Sequence, residues 1–423
     1  MFRLRSLRQP GFTPVIPRCP CGRDSAACSL VSGSEAPRIR VAFVLTELTL
    51  GGAELMLWKL LSRIDRARFQ PFVIALSPRS DRMLELFRDI GIPCELLGME
   101  ASLRGLGTLP RLRHALLRIN PDIVQGWLYH GNLAATVGAL FWDNRPPVLW
   151  NIRGALSGGE KRLTKLIIWL GGRLSFLPHI IINNSMASAI EHEQRFDFRP
   201  DKRMILPNGF DTESFRPSPE ARDDLRRLLG VPESTLLIGL FGRYHPVKDH
   251  ANFLRAASLV TVVRGDVEYL LAGEDVDPAN SQLRALIVDQ GLEGRVHLLG
   301  LRSDMPALTA ALDVLVSASR GEGFPNVVGE AMSCAVPCVV TNVGDSAHVV
   351  ADTGRAVPAG DADALSQGIL ELIDMGEQRR RELGERARQR VLTHFSLASV
   401  VRQYEDLYVR VHQRSASTQK ERA

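Results

Sequence analysis

The chain has 423 residues, 45% apolar and 23% charged, with a net charge of +5; that is enough length for two cores and an ordinary globular balance. The longest apolar candidate for a membrane span, Leu166 to Leu177, is broken by Gly171, Gly172 and Arg173, so a spanning helix is not expected. Six scattered cysteines (Cys19, Cys21, Cys28, Cys94, Cys334, Cys338) exclude a disulfide framework and suit a reducing cytoplasm, and Cys19-Pro20-Cys21 with Cys28 lacks a fourth zinc ligand.

Residues 1–38 are Arg-, Pro- and Ser-rich without the apolar core of a secretory signal, and read as a disordered basic extension. From Ile39 onward, short β-branched runs alternate with stretches of helical period, the pattern of a parallel sheet with crossover helices. In the first half the expected strands are 41–45, 72–76, 122–125, 148–151, 179–182 and 203–206, and the expected helices include 54–63, 109–118, 132–140 and 185–193. Within this half, Lys161 to Leu170 reads as a basic amphipathic helix. Such a helix either lies on an anionic membrane or covers the first sheet.

The rhythm restarts after the turn-rich Pro207-Asn208-Gly209. Strands are expected at 236–241, 269–272, 296–299, 314–317 and 339–341, with helices at 247–263, 281–290, 305–311, 326–334 and 362–375. Two α/β units follow, residues 39–207 and 208–395, each doubly wound, with a ligand cleft between them. Helices at 377–394 and 397–411 end the pattern. The last carries the apolar stripe Leu397, Val400, Val401, Tyr404, Leu407, Tyr408 and Val411, which requires a folded surface to pack on. Residues 413–423 are polar and are expected to be a disordered tail.

Charge divides unevenly along the chain. Residues 1–40 carry seven arginines against Asp24 and Glu35, residues 41–207 hold 21 basic and 15 acidic side chains, and residues 208–423 hold 24 and 30. A basic first half suits an anionic surface or acceptor, although such imbalances also arise without function.

Four segments offer chemistry. Gly51-Gly52-Ala53-Glu54 follows the first strand and opens a helix, where backbone amides approach a phosphate or sugar closely; an ordinary tight turn gives the same pattern. Gly242-Arg243 directly follows the strand 236–241, with Lys248 five residues on. An arginine fork and a lysine point charge together suit a diphosphate, and solvated strand-end cations are the plain alternative. Glu322-Gly323-Phe324-Pro325-Asn326-Val327-Val328-Gly329-Glu330 joins an irregular turn to a helix start. Its amides would face the cleft and Glu330 would accept from a ribose diol; a capped helix with a surface glutamate reads equally well. His130, beside Trp127 and Tyr129, is placed to bond a sugar hydroxyl or donate a proton, or else is structural.

In this order and spacing, these segments, with Pro207-Asn208-Gly209-Phe210-Asp211, resemble the glycosyltransferase family 4 (group 1) enzymes of the GT-B fold. The resemblance runs from about Ile39 to His412. It implies two Rossmann-like domains facing across a cleft, the first on the acceptor side and the second holding a nucleotide-sugar donor. It also implies a last helix, 396–412, that returns to the first domain. Arg243 and Lys248 would hold the donor diphosphate, Glu330 the ribose, and Glu322 would lie near the donor sugar. The backbone of Gly323, Phe324, Pro325 and Asn326 would contact sugar or phosphate, Gly51 and Gly52 would border the donor site, and His130 would lie beside the transferred sugar.

The same resemblance implies a retaining reaction with no metal and no cofactor, the nucleotide diphosphate sugar being the donor substrate. Donor cations and helix amides would do the work of a metal. The acceptor would be a glycan or lipid-linked glycan in surface polysaccharide or lipopolysaccharide assembly, worked on in the cytoplasm with peripheral contact to an anionic membrane. Asp249 stands where the family often has glycine, Gly273-Glu274-Asp275 replaces a common Gly-x-Gly, and Gly344-Asp345 stands where paired glycines are frequent; these departures bear on which donor is chosen. A non-catalytic subunit of the same fold that binds a glycan or partner is the alternative, argued against by the joint presence of Arg243, Lys248, Glu322 and Glu330. Nucleic acid is not an expected partner, since basic residues are not interleaved with aromatics.

Overall fold

The computed structural model describes residues 37–49, 51–77, 81–98, 108–140, 142, 145–154, 156 and 162–422. Residues 1–36 of the basic extension, Lys161 and three of the six cysteines lie outside the described residues. Strands β1 (Ile39–Glu47), β2 (Phe69–Ser77), β3 (Cys94–Leu96), β4 (Ile123–Trp127), β5 (Val148–Ile152), β6 (Ile180–Asn183) and β7 (Arg203–Ile205) form a seven-stranded sheet in the order β3-β2-β1-β4-β5-β6-β7. Helices α1 (Gly52–Arg63), α2 (Asp81–Asp89), α3 (Thr108–Ile119), α4 (Leu128–Ala139), α5 (Arg162–Leu174) and α6 (Met186–Phe196) cover its faces.

The second sheet has the order β10-β9-β8-β11-β12-β13, from β8 (Leu236–Phe241), β9 (Val267–Ala272), β10 (Val296–Leu298), β11 (Val314–Ser317), β12 (Cys338–Thr341) and β13 (Arg355–Val357). Its helices are α7 (Pro219–Leu229), α8 (His250–Val263), α9 (Ser281–Asp289), α10 (Met305–Ala310), α11 (Asn326–Ser333), α12 (Ser346–Val350), α13 (Ala362–Asp374) and α14 (Glu377–His394). The strand pairings in both sheets are parallel. Strands covered on both faces must be apolar throughout, and β4, β5, β8, β11 and β12 are buried along their whole length. The strand order reverses between β1 and β4 and again between β8 and β11, and ligands sit at the carboxyl ends of strands beside such a reversal.

The last helix, α15 (Leu397–Arg422), returns to the first sheet. Val400, Val401, Tyr404, Leu407, Tyr408 and Val411 join one core with Phe43, Phe69 and Trp127. Tyr408 packs edge-on to Phe43 and Phe69 and donates its hydroxyl to Gln125 at 2.8 Å. Each such buried side chain contributes about 1.5–3 kcal/mol. Helix α15 does not stop where its apolar stripe ends. The tail expected to be disordered from residue 413 is helical through Arg422, because Gln413 to Arg422 contains neither proline nor glycine to end it.

The chain passes between the two sheets twice, and the passages are tied together. The Phe210 amide donates to the Phe395 carbonyl at 2.8 Å, and the Leu397 amide donates to the Phe210 carbonyl at 2.8 Å.

Candidate active site

The cationic part of the site is built at the carboxyl end of β8. Gly242 and Arg243 leave the strand, and the next residue is fixed by Tyr244 N donating to Glu274 O at 2.8 Å. Arg243 is exposed, and among the described residues it has no ion-pair partner. Lys248 ends a single 3-10 turn, Pro246–Lys248, with its ammonium 2.6 Å from Glu322 Oε1. The Ser319 hydroxyl donates to that same oxygen at 2.7 Å.

A second ion pair runs beside the first. Arg320 Nε lies 2.7 Å from Asp249 Oδ2, and Arg320 N donates to Val247 O at 2.8 Å. Asp249 occupies the left-handed region, φ 49°, and its side chain caps α8 through Asn252 N at 3.3 Å. That backbone conformation accounts for a glycine being acceptable there; the aspartate adds the cap and the ion pair that a glycine lacks. Adjacent His250 stays neutral near pH 7, because burial, aided by Lys248, pulls its pKa down to about 4.

The Glu322–Glu330 segment follows β11. Gly344 lies against its turn with φ +55°, and a side chain there would collide with the Glu322 carbonyl oxygen, so the close approach requires glycine. Asp345 N donates to Gly323 O at 3.3 Å. The Phe324 ring does not face the cleft. It stacks on Phe210, 5.9 Å between centroids, and meets Phe395 edge-on at 5.8 Å, so only its backbone is placed to meet a ligand. Pro325 precedes α11, and no side chain caps that helix. One turn beyond Asn326, Glu330 is half-buried. Burial raises its carboxyl to about 7, opposed by Lys59 on α1.

The first domain brings its own parts to this place. A Cβ on Gly52 would lie 3.7 Å from Asn326 Nδ2, so the start of α1 faces the start of α11. Glu54 is buried and folds back over Gly51, where a Cβ would lie 2.5 Å from its Oε2. Burial raises the Glu54 pKa, and hydrogen bonds to its own amide and to Thr49 oppose the shift. An acid that reaches back in this way covers the helix start itself. Gly51 thus leaves room for the Glu54 carboxylate, and Gly52 lies beside Asn326. His130 lies in the first turn of α4, which the chain enters through Leu128 at φ +63°. Burial lowers the His130 pKa and the Glu47 carboxylate opposes that shift, so the ring is neutral near pH 7.

Several participants carry little or no signal in the sequence. Asn208 Nδ2 donates to Asn326 Oδ1 at 2.7 Å, and Asn208 Oδ1 accepts from Arg153. Arg153 also donates to the Tyr404 hydroxyl at 2.8 Å and lies over the Trp127 ring at 5.2 Å. A buried arginine is thereby held by neutral acceptors and an aromatic face. Across the cleft, the Asp345 carboxylate accepts from Met186 N at 2.9 Å and Ala187 N at 3.0 Å, capping a helix of the other domain. Asn208 lies in the recognised Asn-Gly-x-Asp segment and Asp345 at a noted departure; Arg153 offered only its place at a strand end.

Known proteins are similar in both halves. A family model described as Glycosyltransferase Family 4 matches residues 50–214, and one described as Glycosyl transferases group 1 matches residues 235–375. The UDP-Gal:alpha-D-GlcNAc-diphosphoundecaprenol alpha-1,3-galactosyltransferase of Escherichia coli is 27% identical over 214 residues, 50% of this chain and 54% of that one. The N-acetyl-alpha-D-glucosaminyl L-malate synthase of Bacillus anthracis is 32% identical over 187 residues, 44% and 48% of the two chains. The chain thus spans about half the length of the curated relatives it matches. Among solved structures, Anabaena Alr3699/HepE in complex with UDP superposes with a TM-score of 0.76 at 23% identity, covering 87% of this chain and 99% of that one. No helix among the described residues is long and apolar enough to cross a membrane.

Proposed function

The chain belongs to glycosyltransferase family 4, group 1, and has the GT-B fold; from that premise we propose that it is a retaining, metal-independent hexosyltransferase. It moves a hexose or N-acetylhexosamine from a nucleotide diphosphate sugar to a glycan or lipid-linked glycan acceptor, in the assembly of a surface polysaccharide or lipopolysaccharide. The observation that carries this reading is the Lys248–Glu322 pair, which stands just before the uncapped start of α11, where Asn326 faces Gly52 of the first domain. The UDP-sugar named for the Escherichia coli relative and the UDP bound by the Anabaena protein favour a UDP-sugar donor.

In this reading the bond between the anomeric carbon and the diphosphate oxygen breaks, and charge grows on the leaving diphosphate. Arg243, Lys248 and the α11 amides stabilise that charge. The acceptor hydroxyl forms the new bond on the same face of the sugar and its proton passes to a leaving phosphate oxygen. Neutral His130 hydrogen-bonds a sugar hydroxyl, Glu322 orients the donor sugar while holding Lys248, and Glu330 accepts from the ribose diol. The work is done at the cytoplasmic face of a membrane that presents the acceptor.

A screen of UDP-, GDP- and ADP-sugars for thermal stabilisation, followed by product NMR, tests the reading. A UDP-sugar should raise the melting temperature by mass action, and the product should keep the donor's anomeric configuration. Stabilisation by no nucleotide sugar together with no transfer, or an inverted product, rejects it.

A further inference from the structure

Helix α5 packs on its narrow face. Its buried residues are Ile168, Gly171 and Gly172. A Cβ on Gly171 would lie 3.1 Å from the Phe198 ring, and one on Gly172 would collide with the Phe196 carbonyl oxygen. The glycines bring the helix against the end of α6 backbone to backbone, and the large apolar residues are left facing outward. Leu163 is 64% exposed, Leu166 55%, Trp169 48%, and Phe176, just past the helix, 55%.

At about 3.6 residues per turn, Leu163, Leu166, Trp169 and Leu170 project from one side of α5. Arg162 and Arg173 project there too, and the Arg173 guanidinium stacks 5.6 Å over Trp169. Arg173 lies 3.8 Å from Asp197, with both side chains well exposed, a pairing of little worth in water. No Asp or Glu occurs within α5. Single exposed leucines need no explanation, but a contiguous aliphatic and aromatic face rimmed by cations marks an interaction surface.

We infer that this face docks on a bilayer containing anionic phospholipid, with Leu163, Leu166, Trp169 and Phe176 entering the boundary between headgroups and acyl chains. Arg162 and Arg173 meet the lipid phosphates, and Trp169 sits at headgroup level, where amphipathic rings are favoured. Charge decides the occupant. Residues 41–207 carry 21 basic against 15 acidic side chains, so the domain as a whole is drawn to an anionic surface. A second copy would bring arginines against arginines. The inference deepens the proposal of a membrane-presented acceptor and rests on it only for the purpose docking serves.

The test uses the full chain with vesicles of phosphatidylcholine, alone or mixed equally with phosphatidylglycerol, at low and high salt. Cosedimentation with the anionic vesicles is expected, weakened by salt, with a blue shift in tryptophan emission that Trp169→Phe diminishes. Leu166→Glu with Trp169→Glu should lower partitioning at least tenfold at unchanged melting temperature, since both side chains face solvent. Arg162→Glu with Arg173→Glu should remove the preference for phosphatidylglycerol. Failure to bind anionic vesicles at low salt overturns the inference, as does equal binding by the glutamate variant. A dimer that the glutamate variant dissolves, with no vesicle binding in either form, assigns the face to a second copy instead. Donor stabilisation by UDP-sugars is read in separate, lipid-free samples, so loss of docking and failure of the transferase reading are distinguishable.

Discussion

The ammonium of Lys248 lies 2.6 Å from the Glu322 carboxylate, so the cation expected on the diphosphate and the acid expected beside the sugar hold each other. Both side chains are largely buried, 26% and 13% exposed. The partnership fixes a flexible lysine stem; in the proposed reaction that holds the ammonium where charge develops, which is how positioned groups lower a barrier. Arg243 is exposed and has no ion-pair partner among the described residues, so in the proposed reaction it is free to close on the diphosphate.

Lys248→Ala and Arg243→Ala should each lower kcat by about 10²–10³-fold, the usual effect of removing one group that stabilises the transition state. The Lys248→Ala, Glu322→Gln double variant should lose less than the product of the single losses, because the two side chains act on one another. Steady-state kinetics on these variants and on Glu322→Gln alone, with melting temperatures for control, measures this. Strictly multiplicative losses refute a joint role.

Glu330 gives a pH signature with opposite signs in binding and stability. Its pKa is raised to about 7 from 4.5 by burial, so its stabilising contribution is present below about pH 4.5 and is lost as pH rises through 7. Binding of a UDP-sugar, whose diphosphate diester does not titrate here, should instead strengthen through pH 7 as the carboxylate ionises and accepts from the ribose. Calorimetric titrations at pH 6 and 8 should show this dependence in the wild type and lose it in Glu330→Gln.

Asp345→Ala removes two charge-assisted hydrogen bonds from the α6 amides of the opposite domain, each worth about 1.5–3 kcal/mol. The cleft should open more readily, visible as a larger radius of gyration in solution scattering, and donor KM should rise about tenfold with kcat nearly kept. Unchanged scattering and KM would show that the cap is dispensable.

Asn208 and Asn326 separate scaffold from site. Asn208→Ala strips the buried Arg153 of an acceptor and should cost about 1–3 kcal/mol. That corresponds to a fall in melting temperature of roughly 2–4 °C per kcal/mol. Asn326 is exposed and its loss costs only the acceptor of the Asn208 amide, so Asn326→Ala should lower the melting temperature less than Asn208→Ala does, while raising donor KM. Thermal denaturation paired with kinetics on both variants reads the difference.

Much of the fold is legible because strands buried on both faces write themselves as apolar runs, as Leu236 to Phe241 does. The four edge strands are three residues long and partly exposed, so short that a period registers only weakly: β7 and β10 were legible and β3 and β13 were not, and α7 buries only Leu225 and Arg226. At the site, the types of Lys248, Glu322 and Glu330 were readable, but their partners were not. Lys248 meets Glu322 across 74 residues and Asp345 meets Met186 across 159, separations that only the folded chain closes. Phe324 illustrates the other limit, since spacing places its backbone at the turn while its ring belongs to the core. Helix α5 was open between membrane and sheet; Gly171 and Gly172 decided which of its faces packed.

Helix α15 gives the order of synthesis a bearing on folding. The first sheet is complete in sequence by Ile205, yet its core still lacks Tyr404 and Tyr408. At roughly 5–20 residues per second, the ribosome adds those residues about ten to forty seconds later. Until then Phe43, Phe69 and Trp127 lack the helix that covers them, and Arg153 lacks the Tyr404 hydroxyl that helps to hold it beside Asn208. A nascent chain stopped before Leu397 would carry both sheets together with Arg243, Lys248, Glu322 and Glu330, but with an uncovered apolar face. A chain cut before Leu397 should therefore be degraded faster than one that carries α15, because the face around Phe43, Phe69 and Trp127 stays open.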